Sequence, residues 1–259
     1  MYALKRRFTW QRQAKSVIAT IGQADCSKLI DEGKKTLIIV PHSDDEWIGC
    51  SQVIRTWKNV VICDADMPGG DSPVEHEIRK MELEATCKIY NREYILASID
   101  SLVETIRKQN PEVLFIPYYV DWHDEHLAVL KNIFDNAEQL DKRIEVISYQ
   151  VSVPILERFI NKAVPMTRLL HREKWKHFKK YYKSQTVIPF QRFAINERIQ
   201  GELINQYAAE VFRTLDLGAW LREYEKYQLT IEEQRELISN LSNLSSIRQT
   251  VDRILSEKE

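Results

Sequence analysis

Short runs rich in apolar, β-branched residues alternate with longer amphipathic stretches through the first half of the chain. The runs 36–40, 60–64, 94–97, 113–117 and 144–149 read as strands. Several, such as Thr36-Leu37-Ile38-Ile39-Val40, carry no polar alternation, as expected of strands covered on both faces. The stretches between them have helical spacing, and Ser72-Pro73-Val74-Glu75 combines a cap residue, a first-turn proline and a glutamate that together start a helix running toward Tyr90. This pattern predicts an α/β fold, a Rossmann-like three-layer sandwich with a mostly parallel sheet. With right-handed crossovers and the order 3-2-1-4-5, the first and fourth strands are neighbours whose following loops diverge at the switch point.

Beyond Gln150 the strand signal fades, and helical stretches are expected near 167–183, 197–215 and 230–256. The last opens with the capping box Thr230-Ile231-Glu232-Glu233 and carries Leu237, Leu241, Leu244, Ile247, Val251 and Ile254 at helical spacing. That stripe either packs back on the domain or forms a helix-mediated homo-oligomer. The chain divides into an N-terminal helical segment (1–34), an α/β domain (35–216) and a helical C-terminal extension (217–259).

At 259 residues with 44% hydrophobic positions, the chain can bury a substantial core. A formal net charge of -1 argues against general binding to polyanions, so nucleic acid is not an expected partner. The basic start Met-Tyr-Ala-Leu-Lys-Arg-Arg leads into no apolar signal core, and no apolar run reaches membrane-spanning length; a cytoplasmic address without membrane insertion is expected. Cys26, Cys50, Cys63 and Cys87 are widely spread, which fits reduced, mostly buried thiols. The basic run Arg172 to Lys183, interleaved with aromatics, reads as the solvated face of a helix over a buried aromatic one.

The chemistry concentrates at two strand ends. Pro41-His42-Ser43-Asp44-Asp45-Glu46 follows the first strand, and His123-Asp124-Glu125-His126 follows the fourth. Two imidazoles and one carboxylate suit a divalent ion such as zinc, and His42, Asp45 and His126 supply that set. Asp44 is left free to take a proton from the attacking water, and His123 to stabilise the charge developing on a carbonyl oxygen. Asp121 and Trp122 fall beside the ion, Glu46 supports the first ligand loop, and the turn Met67-Pro68-Gly69-Gly70-Asp71 after the second strand borders the same crevice. Paired aspartates at a strand end also commonly cap the next helix, and either motif alone is weak evidence.

Together these residues resemble the LmbE-like or PIG-L-like N-acetylglucosaminyl deacetylases, whose motifs are His-Pro-Asp-Asp-Glu and, later, His-Pro-Asp-His. Here Ser43 stands for the proline of the first motif, and Asp124-Glu125 for the Pro-Asp of the second. Arg79-Lys80-Met81-Glu82-Leu83, the span from Lys174 to Ser184-Gln185, and the segment Tyr207 to Arg213 resemble further family segments, so the likeness covers about residues 36–215. It implies a zinc (or other divalent metal) hydrolase that deacetylates an N-acetylated amino sugar or its conjugate, a small-molecule partner. In it His42, Asp45 and His126 hold the metal, Asp44 is the base, His123 with Glu125 stabilises the transition state, and Arg79 holds the sugar, with Trp122 offering a ring to stack on it. The alternative is a catalytically inactive binding or scaffolding relative. The leaving amine's proton comes from Asp44 or from His123, and the sequence does not choose.

Overall fold

A computed structural model describes residues 2–70, 72–185 and 188–259. The elements run α1 (Tyr2–Ile18), β1 (Ser27–Lys28), β2 (Thr36–Val40), α2 (Asp45–Thr56), β3 (Val60–Asp64), α3 (Pro73–Ile89), β4 (Glu93–Leu96), α4 (Leu102–Gln109), β5 (Val113–Pro117), α5 (Asp124–Asp135), β6 (Glu145–Tyr149), β7 (Lys162–Met166), α6 (Arg168–Tyr181), α7 (Phe190–Glu202), β8 (Ala208–Asp216), α8 (Leu217–Lys226), α9 (Ile231–Asn240) and α10 (Leu244–Lys258). The strands form one sheet in the order β1-β7-β8-β6-β5-β2-β3-β4. Its central pairings, β2 with β3 and β5, β3 with β4, and β5 with β6, are parallel; β8 runs antiparallel to β6 and β7. The strands read from the first half therefore lie as β4-β3-β2-β5-β6, the order 3-2-1-4-5.

Side-chain alternation along these strands builds two cores. Leu37, Ile39, Val61, Cys63, Leu114 and Ile116 face one side, where α4, α5, α8, α9 and α10 contribute Ile106, Leu130, Trp220, Leu237 and Val251. Ile38, Val40, Ile62 and Phe115 face the other, against Trp47 and Val53 of α2, Leu83 of α3 and Phe178 of α6. Helices on both faces make the sandwich three-layered. The expected caps form as full capping boxes, Ser72 with Glu75 at α3 and Thr230 with Glu233 at α9, each contributing about 1 kcal/mol.

The second half departs from the sequence pattern. The stretch 197–215 is not one helix: α7 ends at Glu202, and Ala208–Asp216 is β8, slotted between β6 and β7. Ala208 to Phe212 are all buried there, and strand neighbours on both sides override the helical preference of alanine and glutamate. The turn between them is tight enough that a Cβ on Gly201 would stand 2.5 Å from the Ala208 backbone. Pro165 masks β7, because proline is unusual inside a strand. The stretch 230–256 breaks at 241–243, where the Asn243 side chain accepts from Ser245 N and Ser246 N and caps α10. Its apolar stripe packs back on the domain: Leu237, Leu244, Ile247, Val251 and Ile254 are buried, and Leu241 packs against the same core. Leu244 also joins Trp10, Ala14 and Val17 of α1 and Ile195 and Ile199 of α7. All four cysteines are free thiols, three of them buried. Among the described residues, no helix is long and apolar enough to cross a membrane.

On α6 the arginine and lysine side chains are solvated as expected, with Lys174 the exception. Its ammonium, fully buried, donates to Ile48 O at 2.6 Å, to Glu210 Oε1 at 2.7 Å and to Glu197. Ser51 Oγ and Gln52 N add 2.6 and 3.0 Å bonds to Glu210, so one charge cluster ties α2, α6, α7 and β8 together. Lys174→Met would strand two carboxylates in the core. It is expected to lower unfolding free energy by about 3–5 kcal/mol, read from the urea midpoint; a change below about 1 kcal/mol would show the cluster to be energetically idle.

Candidate active site

The parallel register, with Val40 opposite Asp64 and Pro117 opposite Tyr149, brings the loops after β2, β3, β5 and β6 out at one sheet edge. Pro41 turns the chain away from the sheet, and Asp44 takes the N-cap position of α2. Its carboxylate makes no cap bond, so the aspartate pair is not explained as helix capping. Ser43 Oγ anchors this loop instead by donating to Asp64 Oδ2 at 2.6 Å. On the other side of the switch point His123 caps α5, which places Glu125 and His126 in its first turn.

His42, Asp45 and His126 converge. His42 Nδ1 lies 3.1 Å from His126 Nε2 and 3.4 Å from Asp45 Oδ2, and His126 Nε2 lies 3.2 Å from the same carboxylate oxygen. Ligands at about 2.0–2.1 Å from a tetrahedral ion stand about 3.3 Å apart, so these three atoms have the separations of one face of such a tetrahedron. The remaining ring nitrogens are already engaged: His42 Nε2 meets Glu125 Oε2 at 2.6 Å, and His126 Nδ1 meets Asp121 Oδ2 at 2.9 Å. In the tautomers that hold hydrogens there, the lone pairs of Nδ1 and Nε2 would turn toward each other and toward Asp45, a buried cluster of acceptors that a cation would neutralise. The chemistry of the donor set thus fits zinc or a similar divalent ion. The three imidazoles of His42, His123 and His126 also offer nitrogens within 4.8 Å of one another, with His123 the outer member. Asp45 Oδ2 stands within 3.4 Å of a nitrogen of each of the other two rings, which sets it in the innermost set.

The electrostatics follow from burial and these contacts. Burial opposes ionisation of Asp45, but His126 and His42 outweigh it and hold its carboxyl well below the usual range. Burial opposes a charged His126 too, yet Asp45 and Asp121 raise its pKa. His42 is raised in the same way, with Asp45 and Glu125 overcoming burial and the repulsion of His126. Burial, and next the charge of Asp45, push the Asp44 carboxyl up to about 6 against the pull of Arg79 and His42. Arg79 Nη2 donates to Asp44 Oδ1 at 3.2 Å, and Asp44 Oδ2 has no partner among the described residues. Burial, His126 and His42 lower the His123 pKa. That shift favours the neutral ring, in which Nδ1 accepts from Glu125 N at 3.3 Å and the hydrogen sits on Nε2.

Two expectations need correction. The Glu125 carboxylate orients His42, not His123; Gly69 N also donates to it, at 2.8 Å. Asp121 is buried behind His126, where it also accepts from Trp122 N and His123 N, so it positions a ring and does not line the cavity. Arg79 lies against Asp44 as well as lining the cavity. Trp122 is half-buried at the cavity wall, its Nε1 donating to Ser152 Oγ at 2.8 Å. Glu46 is fully buried against the Tyr182 hydroxyl. In the turn after β3, Gly69 has φ +65, and a Cβ there would stand 2.9 Å from Arg79 Nη1 and 3.2 Å from His42 Cδ2, which accounts for glycine at this position. Asp71 of that turn lies outside the described residues.

Above the cluster opens a cavity of about 800 Å³. Besides the motif residues it is walled by Trp10 and Gln13 of α1, Ser152 after β6, Arg192 and Phe193 of α7, and Leu241 to Asn243 of the α9–α10 turn. None of these was singled out from sequence as a site residue. Ser152 had a usable signal, since it follows the fifth expected strand at the same sheet edge; the others come from the terminal helices, whose placement no local pattern encodes.

No protein-family model matches the sequence, and no curated protein matches it either. Solved structures do. An N,N'-diacetylchitobiose deacetylase from Pyrococcus horikoshii, solved with an inhibitor, superposes with a TM-score of 0.56 at 19% identity over 71% of this chain and 84% of its own. The zinc-inhibited form of teicoplanin deacetylase Orf2 gives 0.51 at 15% identity over 69% and 97%. GalB, the 4-carboxy-2-hydroxymuconate hydratase of Pseudomonas putida KT2440, gives 0.50 at 11% identity over 70% and 96%. The protein shares the α/β fold of these solved structures, among them the two deacetylases.

Proposed function

We propose that the protein is a metal-dependent N-deacetylase, zinc being the first candidate ion, that hydrolyses the acetamide of an N-acetylated amino sugar or its conjugate to acetate and a free amine. The observation that carries this reading is the convergence of His42 Nδ1, His126 Nε2 and Asp45 Oδ2 within 3.4 Å of one another, next to an Asp44 carboxylate that makes no cap bond. The fold alone does not choose the reaction, since a hydratase shares it. Residues 35–216 form the catalytic unit in this reading, with 1–34 and 217–259 completing the cavity wall.

His42, Asp45 and His126 hold the ion, while Glu125 and Asp121 fix the two rings in the ligating tautomers. When bound, the ion supplies Lewis-acid polarisation of the amide carbonyl and lowers the pKa of the attacking water toward ~7. Asp44 accepts that water's proton; burial raises its carboxyl pKa toward the range of a base working near neutrality. His123 donates Nε2–H to the developing oxyanion. The C–N bond then breaks, and the nitrogen leaves with the proton that Asp44 accepted, since a neutral His123 has none to give. Arg79 fixes Asp44 and faces the sugar, and Trp122 offers a ring on which the sugar stacks.

The test is a panel of N-acetylglucosamine conjugates incubated with zinc-loaded protein and scored for free amine. We expect at least one conjugate to release amine at a rate that dialysis against a chelator abolishes and zinc restores. No amine from any of them would leave the inactive binding protein as the better reading.

A further inference from the structure

Three arginines are buried among the described residues. Arg79 pairs with Asp44, and Arg248 with Glu157 at 2.7 Å. Arg192, 5% exposed, has no carboxylate partner among the described residues. Its Nη2 donates to the Ser152 carbonyl at 2.8 Å, and its Nε has no partner among the described residues. Asp121, the one acid whose charge favours it, is already engaged by His126 Nδ1, Trp122 N, His123 N and Ser152 Oγ. Burial lowers the guanidinium pKa to about 10, so it still carries its charge at neutral pH.

An unpaired buried cation is costly, and a backbone carbonyl needs only a neutral donor. Arg192 lines the cavity together with Trp122, and both are tied to Ser152, which places the charge on the wall where a sugar stacked on Trp122 would turn its substituent. Trp10 and Leu241 close the cavity with apolar surface and bring no carboxylate to it. We propose that Arg192 is the anchor for a carboxylate or phosphate on the aglycone of the substrate, so that the preferred substrates are anionic conjugates of an N-acetylated amino sugar. This rests on the deacetylase reading above and narrows its substrate class. A planar guanidinium suits either anion, because both accept two parallel hydrogen bonds.

The experiment is calorimetric binding of three probes to zinc-loaded protein: methyl N-acetylglucosaminide, N-acetylglucosamine 1-phosphate and the carboxymethyl glycoside of N-acetylglucosamine. The wild type is expected to bind at least one anionic probe about tenfold or more tightly than the neutral one; the stronger of the two identifies phosphate or carboxylate as the natural group. In Arg192→Met the anionic-to-neutral ratio is expected to collapse to about one, and in Arg192→Lys to fall about threefold or more, through loss of the paired donors. Equal wild-type affinity for all three probes would overturn the proposal, as would a ratio that survives either substitution. If Arg192→Met does not fold, the wild-type and Arg192→Lys ratios decide alone. Acetate release is scored separately: no acetate from any probe removes the deacetylase reading, whereas the binding ratio reports on Arg192 regardless of turnover.

Discussion

His42→Ala is expected to bind no zinc above background and to lose essentially all turnover, about a thousandfold or more, because the ion would supply both the activated water and the polarised carbonyl. The substitution removes one of three atoms that stand 3.1 to 3.4 Å apart and leaves Glu125 without the ring it orients. His126→Ala should behave the same way, with Asp121 as the abandoned partner. Metal content by elemental analysis and acetate release are measured on the same preparations, with circular dichroism as the control for folding. Full metal occupancy in a folded His42→Ala protein would contradict the ligand assignment.

Asp44→Asn separates catalysis from binding. The asparagine carbonyl can still accept from Arg79, as Asp44 Oδ1 does at 3.2 Å, while the side chain can no longer take a proton. Metal content is expected to stay near that of the wild type while kcat falls by about 10²–10⁴ and KM moves only a few-fold. Equal metal loss in Asp44→Asn and His42→Ala would contradict the division of labour between adjacent aspartates.

Much of this site was legible in the sequence because the strands that position it carry continuous apolar runs. Leu37 to Val40 and Val113 to Ile116 are buried on both faces, and that alone sets them in the middle of the sheet, with His42 and His126 just beyond their carboxyl ends. The finer geometry was not legible. Glu125 reaches His42 rather than His123 because the first turn of α5 points it at the Gly69 turn, a contact between loops 56 residues apart. The protonation of His123 is set by the neighbouring rings and by burial, which sequence spacing does not report. The antiparallel strand β8 was hidden by its Ala-Ala-Glu start, and with it the seat of Glu210 under Lys174. The cavity roof was hidden most deeply, because Trp10 and Leu241 meet only when α1 and the α9–α10 turn have both packed on the domain.

The likeness to solved deacetylases reaches about 70% of the chain. α1 and the α9–α10 turn wall the cavity above the motif residues, so in the proposed reading the reaction and the choice of substrate rest on different parts of the molecule.

The central claim, that one ion held by His42, Asp45 and His126 drives amide hydrolysis, is tested most directly by titrating chelator-stripped protein with zinc while following acetate release from an N-acetylglucosamine conjugate. The account predicts negligible release without metal and a maximum at one ion per chain. Acetate release that is indifferent to stripping, or that needs more than one ion per chain to reach its maximum, would contradict it.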